Sequence, residues 1–319
     1  MKRILQIYVL LFISLTSACS SSSILQKDNS KVKPANSPEA KTDNTQNREL
    51  RNQIQQIASA AKGRVGVAAT VLETVESVSL NSNEHFPMQS VYKLPIGMAV
   101  LKEVDAGKIK LDQKVQVEKS DFVRIGQRSP IRDKYPNGAE LSVGELLRLM
   151  ITESDGTASD VLMNLVGGTK AVMNYLSELG INEIIVANTE KEFGQDQTLQ
   201  YKNWASPEGA VALLRALHER RGLSEQSQVL LLNFMTESPT GPKRLKGLLP
   251  KGTIIAHKTG TSGTIEGVTA ATNDIGIITL PDGRHLAVAI FVADSPANET
   301  MREEVIAKIA KAVWDKWSR

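Results

Sequence analysis

Ser90 stands three residues before Lys93 in "FPMQSVYKLPIGMAVL", at the head of an otherwise apolar segment. Positions three apart share a helix face, so the pattern sets an amine beside a hydroxyl, an arrangement that makes a weak nucleophile strong. The plainer reading has Ser90 opening a helix and Lys93 pointing at water. Two further clusters carry similar groups: "TESDG" holds Ser154 and Asp155 at the end of a helical pattern, and "AHKTGTSG" holds Lys258, Thr259, Gly260 and Thr261 on a predicted strand. Singly, Ser154 reads as an N-cap and Lys258 as a solvated strand residue. "VANTEKEFGQDQ" adds Glu190 and Glu192 in a polar, loop-like stretch where carboxylates are ordinarily solvated. In this order and on these elements, the clusters are far more specific together than alone.

The elements that must position these groups are legible in outline. A chain of 319 residues, 41% hydrophobic and 23% charged, is long enough for a large core and for two cooperating domains. A helical pattern in "RELRNQIQQIASAAKG" is followed by a predicted hairpin, "RVGVAATVLE" with "ESVSLNS". Helical spacing then dominates to about residue 235. Strands return in "GTIIAHKTGTSG", "TAATNDIGIITL" and "RHLAVAIFVAD", and an amphipathic helix, "ETMREEVIAKIAKAVWDKW", closes the chain. The expected fold class is α/β (α+β), an antiparallel sheet with packed terminal helices plus an inserted all-α domain. Residues 48–88 and 236–319 form the α/β domain on this reading, and 89–235 the all-α domain.

The net charge of +3 and the lack of a basic run interleaved with aromatics give no reason to expect nucleic acid. His85, His218, His257 and His285 are scattered without zinc-site spacing, so no metal is expected. "MKRILQIYVLLFISLTSAC" has a basic start, an apolar run too short to span a bilayer, and small residues before the sole cysteine, Cys19. It reads as an export signal over 1–18. The cysteine after "LTSA" resembles a bacterial lipoprotein processing site, which implies lipidation of Cys19; plain secretion with an unmodified Cys19 is the alternative. Residues 19–47, polar and nearly free of large apolar side chains, are expected to form a flexible tether.

S-x-x-K, S-D-x and K-T-G are the motif set of class A β-lactamases and penicillin-binding proteins, and the chain resembles that family from about Leu50 to its end. Within class A, "SPIRDKYPNG", "DQTLQYKNW", "TGPKRLKGLLP" and "AHKTGTSG" resemble the PER-type extended-spectrum group. The resemblance implies a β-lactamase/transpeptidase-like fold and a serine β-lactamase without cofactor, periplasmic and membrane-anchored, expected to act as a monomer on β-lactam antibiotics. Ser90 becomes the nucleophile and Lys93 its proton acceptor. Ser154 relays a proton to the lactam nitrogen, held by Lys258. Thr259, Gly260 and Thr261 form the substrate-binding edge, with the backbone N–H of Thr261 and of Ser90 holding the oxyanion.

Arg244 falls where some members keep an arginine for the substrate carboxylate; a solvated arginine is the alternative. The family's E-x-E-x-N register makes Glu190 the general base. Three positions depart from the pattern: Gly156 replaces an asparagine that contacts substrate and lysine, Gly194 one that holds the hydrolytic water, and Asn188 a loop-pinning arginine. Gly156 either vacates the substrate contact or meets a positive φ. Two other readings remain: a β-lactam-binding sensor or trap with slow turnover, and a D-Ala-D-Ala carboxypeptidase, which has no need of Glu190.

Overall fold

The computed structural model describes residues 38–319, with side chains from residue 47 onward except Gln197. The expected export signal, Cys19 and the expected tether up to residue 37 lie outside the described residues. Helix α1 spans Pro38–Ala58, so helix begins well inside the segment expected to be tether. Proline suits a first helical position, and the polar residues after it do not prevent helix from extending back from the apolar stripe that opens at Leu50.

The predicted hairpin forms from β1 (Arg64–Val71) and β2 (Ser77–Leu80). Then come β3 (Phe86–Pro87), a 3₁₀ turn at Gln89–Tyr92, α2 (Lys93–Asp105), β4 (Lys114–Val117), α3 (Pro130–Lys134), β5 (Ala139–Ser142), α4 (Val143–Thr152), α5 (Gly156–Leu165) and α6 (Gly168–Glu178). They are followed by β6 (Ile184–Ile185), α7 (Glu190–Gln195), β7 (Trp204–Ala205), α8 (Pro207–His218) and α9 (Glu225–Glu237). The stretch expected to be all-α thus also holds the pairings β4–β5 and β6–β7, and β7 pairs in addition with β3, just before that stretch. These strands are two to four residues long, too short to display a period-2 pattern in sequence. The chain ends with β8 (Ile255–Thr261), β9 (Thr264–Ile265), β10 (Val268–Thr279), β11 (His285–Ser295) and α10 (Glu299–Trp317).

The main sheet is antiparallel in the order β2-β1-β11-β10-β8, with β9 on β10. Its central strand shows why the sequence reads as one apolar run. Leu286, Val288, Ile290 and Val292 face a core shared with Ile54 of α1 and Val305, Ile309 and Val313 of α10. Ala287, Ala289, Phe291 and Ala293 face the opposite core, shared with α2, α4, α5 and α8. Alternate side chains point to opposite faces, and both faces are covered. The second core joins sheet and helical portion directly, and Thr42–Arg319 fold as one compact unit. The edge strand β8 therefore lies against the start of α2, where the sequence placed its chemistry.

Candidate active site

Ser90 lies in the 3₁₀ turn, and α2 begins at Lys93, not at Ser90. The i, i+3 spacing still works, because a 3₁₀ turn nearly eclipses those positions. Lys93, only 1% exposed, points inward from a helix whose first two and a half turns are buried. Its Nζ donates to Ser90 Oγ at 2.9 Å, to the Ser154 carbonyl at 2.9 Å, and pairs with Glu190 Oε1 at 2.8 Å. A buried ammonium with acceptors for all three protons is a stable arrangement, and it ties three separate elements to one nitrogen. Lys93 does not point at water.

Ser154 lies between α4 and α5 with φ +59°, a left-handed conformation that strains a serine. It is not the N-cap: Asp155 is, accepting from the Ala158 N–H at 2.9 Å. Freed from capping, the Ser154 hydroxyl accepts from Lys258 Nζ at 3.0 Å. Lys258 is fully buried, and desolvation, followed by repulsion from Lys93, pushes its amine well below the usual lysine range. Beside it, Thr259 and Thr240 share a hydroxyl hydrogen bond of 2.8 Å.

Gly260 explains the close docking of β8. A Cβ there would lie 2.3 Å from the Met88 carbonyl and 3.3 Å from Ser90 N, so only glycine brings the Thr261 edge alongside the nucleophile's turn. Gln89, just before Ser90, has φ +48° and donates to Gln200 Oε1 at 2.6 Å. Arg244 is not a solvated arginine. It is 3% exposed, bonded to the Gly260 and Asn273 carbonyls at 3.2 and 3.0 Å, to Thr261 Oγ1 at 2.8 Å and to Glu303 at 3.1 Å.

Glu190 and Glu192 part company. The stretch read as a loop carries α7, capped by Thr189 and Glu192: Glu192 N–H donates to Thr189 Oγ1 at 3.3 Å, and Thr189 N–H to Glu192 Oε2 at 2.7 Å. T-x-x-E is the capping-box signature, and it was present in the sequence to be read. Glu192 is thereby held away from Lys93. Glu190 instead reaches Lys93 with one oxygen and takes a 3.3 Å bond from Gln127 Nε2 on the other, while Gln127 Nε2 also meets the Glu190 carbonyl at 2.5 Å.

Three residues that the sequence did not single out hold this segment. Asp160 of α5 accepts from the Glu190 and Lys191 N–H groups, both at 2.9 Å, at the amino end of α7. Burial, outweighing those two bonds, raises its carboxyl to about 7. Buried Asn203 accepts from Ala187 and Asn188 N–H at 2.7 and 2.8 Å and donates to the Asn188 carbonyl at 2.9 Å, which pins the loop base without an arginine at position 188. The third, Gln127, occupies the room left by Gly194, where a Cβ would lie 2.6 Å from Gln127 Oε1. Gly156 is buried with no positive φ; a Cβ there would stand 3.3 Å from both Glu190 Cγ and the Arg128 carbonyl. Its side is filled by Glu190, so the positive-φ explanation fails.

Ser90, Lys93, Ser154, Glu190, Arg244, Thr259 and Thr261 line a single cleft of about 640 Å³, and Lys258 and Gly260 flank Thr259 on β8. A family model described as "Beta-lactamase enzyme family" matches residues 49–317. The chain belongs to that family. It is 45% identical over 267 residues to the extended-spectrum β-lactamase PER-1 of Pseudomonas aeruginosa, covering 83% of this chain and 86% of that one. To β-lactamase VEB-1 of Pseudomonas aeruginosa it is 38% identical, with 85% and 91% covered. The crystal structure of TLA-3 extended-spectrum β-lactamase superposes with a TM-score of 0.83 at 44% identity, over 86% of this chain and 100% of that one. A β-lactamase from Chitinophaga pinensis DSM 2588 superposes at 0.82 with 46% identity, over 84% and 99%. The fold and function are those of a class A serine β-lactamase, a hydrolase of the β-lactam amide. Among the described residues of this β-lactamase no helix is long and apolar enough to cross a membrane.

Proposed function

We propose that the enzyme hydrolyses penicillins and cephalosporins through an acyl-enzyme on Ser90 that Glu190-activated water cleaves. The observation that carries this reading is one nitrogen: Lys93 Nζ lies 2.9 Å from Ser90 Oγ and 2.8 Å from Glu190 Oε1. Loss of one Lys93 proton to solvent leaves a neutral amine facing the Ser90 hydroxyl, with Glu190 still ionised. That amine takes the hydroxyl proton as Ser90 Oγ attacks the lactam carbonyl carbon, and the backbone N–H groups of Ser90 and Thr261 hold the oxyanion. Ser154 Oγ donates its proton to the departing lactam nitrogen, and Lys258 at 3.0 Å replenishes it.

The substrate carboxylate is met by Thr259, Thr261 and Arg244, whose guanidinium already reaches the Thr261 hydroxyl at 2.8 Å. An anion arriving there favours the charged form of Lys258, against the downward push of burial. For deacylation the ionised Glu190 accepts a proton from water as its oxygen attacks the ester carbon, and the bond to Ser90 Oγ breaks as Lys93, 2.9 Å away, returns the proton it took. Gln127 Oε1, buried and without a hydrogen-bond partner among the described residues, accepts the water's other proton in place of the family asparagine at position 194.

Multiple-turnover hydrolysis of a chromogenic cephalosporin tests the reading. Many equivalents cleaved per enzyme are expected; a burst of one equivalent followed by a halt would indicate a sensor or trap. The enzyme is also proposed to be exported and lipid-anchored at Cys19 and to act as a monomer. Cys19→Ala should move it from the membrane to the soluble fraction, and unchanged fractionation would contradict anchoring.

A further inference from the structure

The four histidines are scattered in sequence, yet the fold brings two of them together. His218 is the last residue of α8, His285 the first of β11, and Glu73 follows β1; their ligand atoms lie within 4.8 Å of one another. We propose that Glu73, His218 and His285 form a binding site for a divalent transition-metal ion of the zinc class. The site belongs to a part of the molecule that the hydrolytic chemistry does not use. Thr261 of β8 pairs with Thr272, and Thr272 with Val292, whereas His285 lies seven residues further along β11. At the rise of a strand that is about 23 Å from the catalytic edge.

The donor set fits that class of ion. Two imidazoles and one carboxylate are the ligands of open three-ligand zinc sites, which keep a further position for water. Hard ions such as magnesium or calcium prefer an all-oxygen shell. His285 Nδ1 stands 2.7 Å from Glu73 Oε1, and His218 Nε2 stands 3.8 Å from the same oxygen. Ligand atoms about 2.0–2.1 Å from a tetrahedral ion lie about 3.3 Å apart, so the Glu73 oxygen is about half an ångström from that spacing to each imidazole, and the two imidazole nitrogens, within 4.8 Å of each other, close by side-chain rotation.

The carriers are already fixed. The Leu72 N–H donates to the His285 carbonyl at 2.8 Å, and the His285 N–H donates to Glu73 Oε2 at 2.8 Å, which orients the carboxylate and leaves Oε1 facing the rings. The two imidazole rings lie 4.5 Å apart, centre to centre. All three side chains remain about a quarter to a third exposed, so an ion and its water can enter. Arg284, the residue before His285, is engaged by Asp282 and Glu76. The ordinary account is a hydrogen-bonded Glu73–His285 pair with His218 beside it at a helix carboxyl end.

Zinc titration of the full chain by calorimetry at neutral pH, and cobalt(II) absorption as a spectroscopic reporter, distinguish the two. The wild-type enzyme should take up one equivalent of zinc, raise its melting temperature with added metal, and give a ligand-field cobalt spectrum of tetrahedral intensity. His218→Ala with His285→Ala should lose that equivalent and that spectrum while cephalosporin turnover stays at the wild-type rate. Glu73→Gln, which keeps shape and removes charge, should weaken zinc binding at least about tenfold, the size of effect seen on disturbing such shells. Equal zinc uptake by wild type and the double variant, or no uptake by the wild type at millimolar zinc, would overturn the proposal.

Discussion

The two halves of the catalytic cleft are held by different kinds of bond. Around Ser90, side chain meets side chain: Lys93 on Ser90, Lys258 on Ser154, Arg244 on Thr261, with two strained backbone positions, Gln89 and Ser154, locked among them. Around Glu190, side chains hold backbone: Asp160 caps α7, Asn203 clasps residues 187 and 188, and Gln127 meets the Glu190 carbonyl. The first half presents the proposed chemistry directly, whereas the second positions a single carboxylate through backbone contacts, of which only those of Gln127 come from a group that also faces the cleft. Damage to the first half should stop acylation, and damage to the second should slow deacylation alone.

The largest effect is expected from Ser90→Ala, which removes the proposed nucleophile and should abolish both hydrolysis and the covalent adduct. Detectable adduct on another serine in a peptide map would break the assignment. Next comes Asn203→Ala. Three buried hydrogen bonds at about 0.5–1.5 kcal/mol each make the loop's anchorage worth about 3 kcal/mol. Stopped-flow kinetics should show acylation nearly unchanged and deacylation slowed tenfold or more; equal slowing of both steps would mean that the two halves are not separable.

Asp160 sharpens the comparison through pH. Its folded-state pKa, about 7, is raised above the unfolded value of 3.8, so its contribution to stability is fully present below 3.8 and is lost as pH rises through 7. Asp160→Asn is free of this penalty, and its stability should gain on the wild type between about pH 4 and 7, at most by about 1.4 kcal/mol per pH unit, with no further gain above 7. Parallel curves would show that the two α7 N–H groups compensate the buried charge fully. The smallest effect is expected at Gly156→Asn. The added Cβ presses on Glu190 Cγ from 3.3 Å, so turnover should fall a few-fold, alike on substrates with and without an acylamido group. A gain confined to acylamido substrates would instead mark a vacated substrate contact.

What was legible in the sequence follows the same division. Ser90, Lys93, Ser154 and Lys258 stood out because together they form a motif set that resembles a known family's, and Glu190 because it falls in that family's register. The hairpin, the β-rich carboxyl end and α10 were readable from period. Gln127, Asp160 and Asn203 were not, since each acts on a backbone group 63, 30 or 15 residues away that only the fold brings near. Asp160 did leave a trace, a lone carboxylate in an otherwise apolar helical pattern, and α7 announced itself by T-x-x-E. Arg244 was ambiguous in sequence because its burial depends on β8 and β10 packing beside it. The pairing of Glu73 with His285 across 212 residues had no local signal at all.

The central claim is that one half of the cleft forms the acyl-enzyme and Glu190 of the other half destroys it. Intact-mass spectrometry of Glu190→Gln during exposure to a cephalosporin tests this most directly, with Glu192→Gln alongside. The glutamine keeps the shape of Glu190 and cannot take a proton from water, which costs about a hundredfold or more. Glu190→Gln should accumulate one adduct per chain, mapped to Ser90 and persisting after free drug is removed, while Glu192→Gln should clear its adduct nearly as fast as the wild type. Rapid clearance by Glu190→Gln, or persistence in Glu192→Gln instead, would contradict the account.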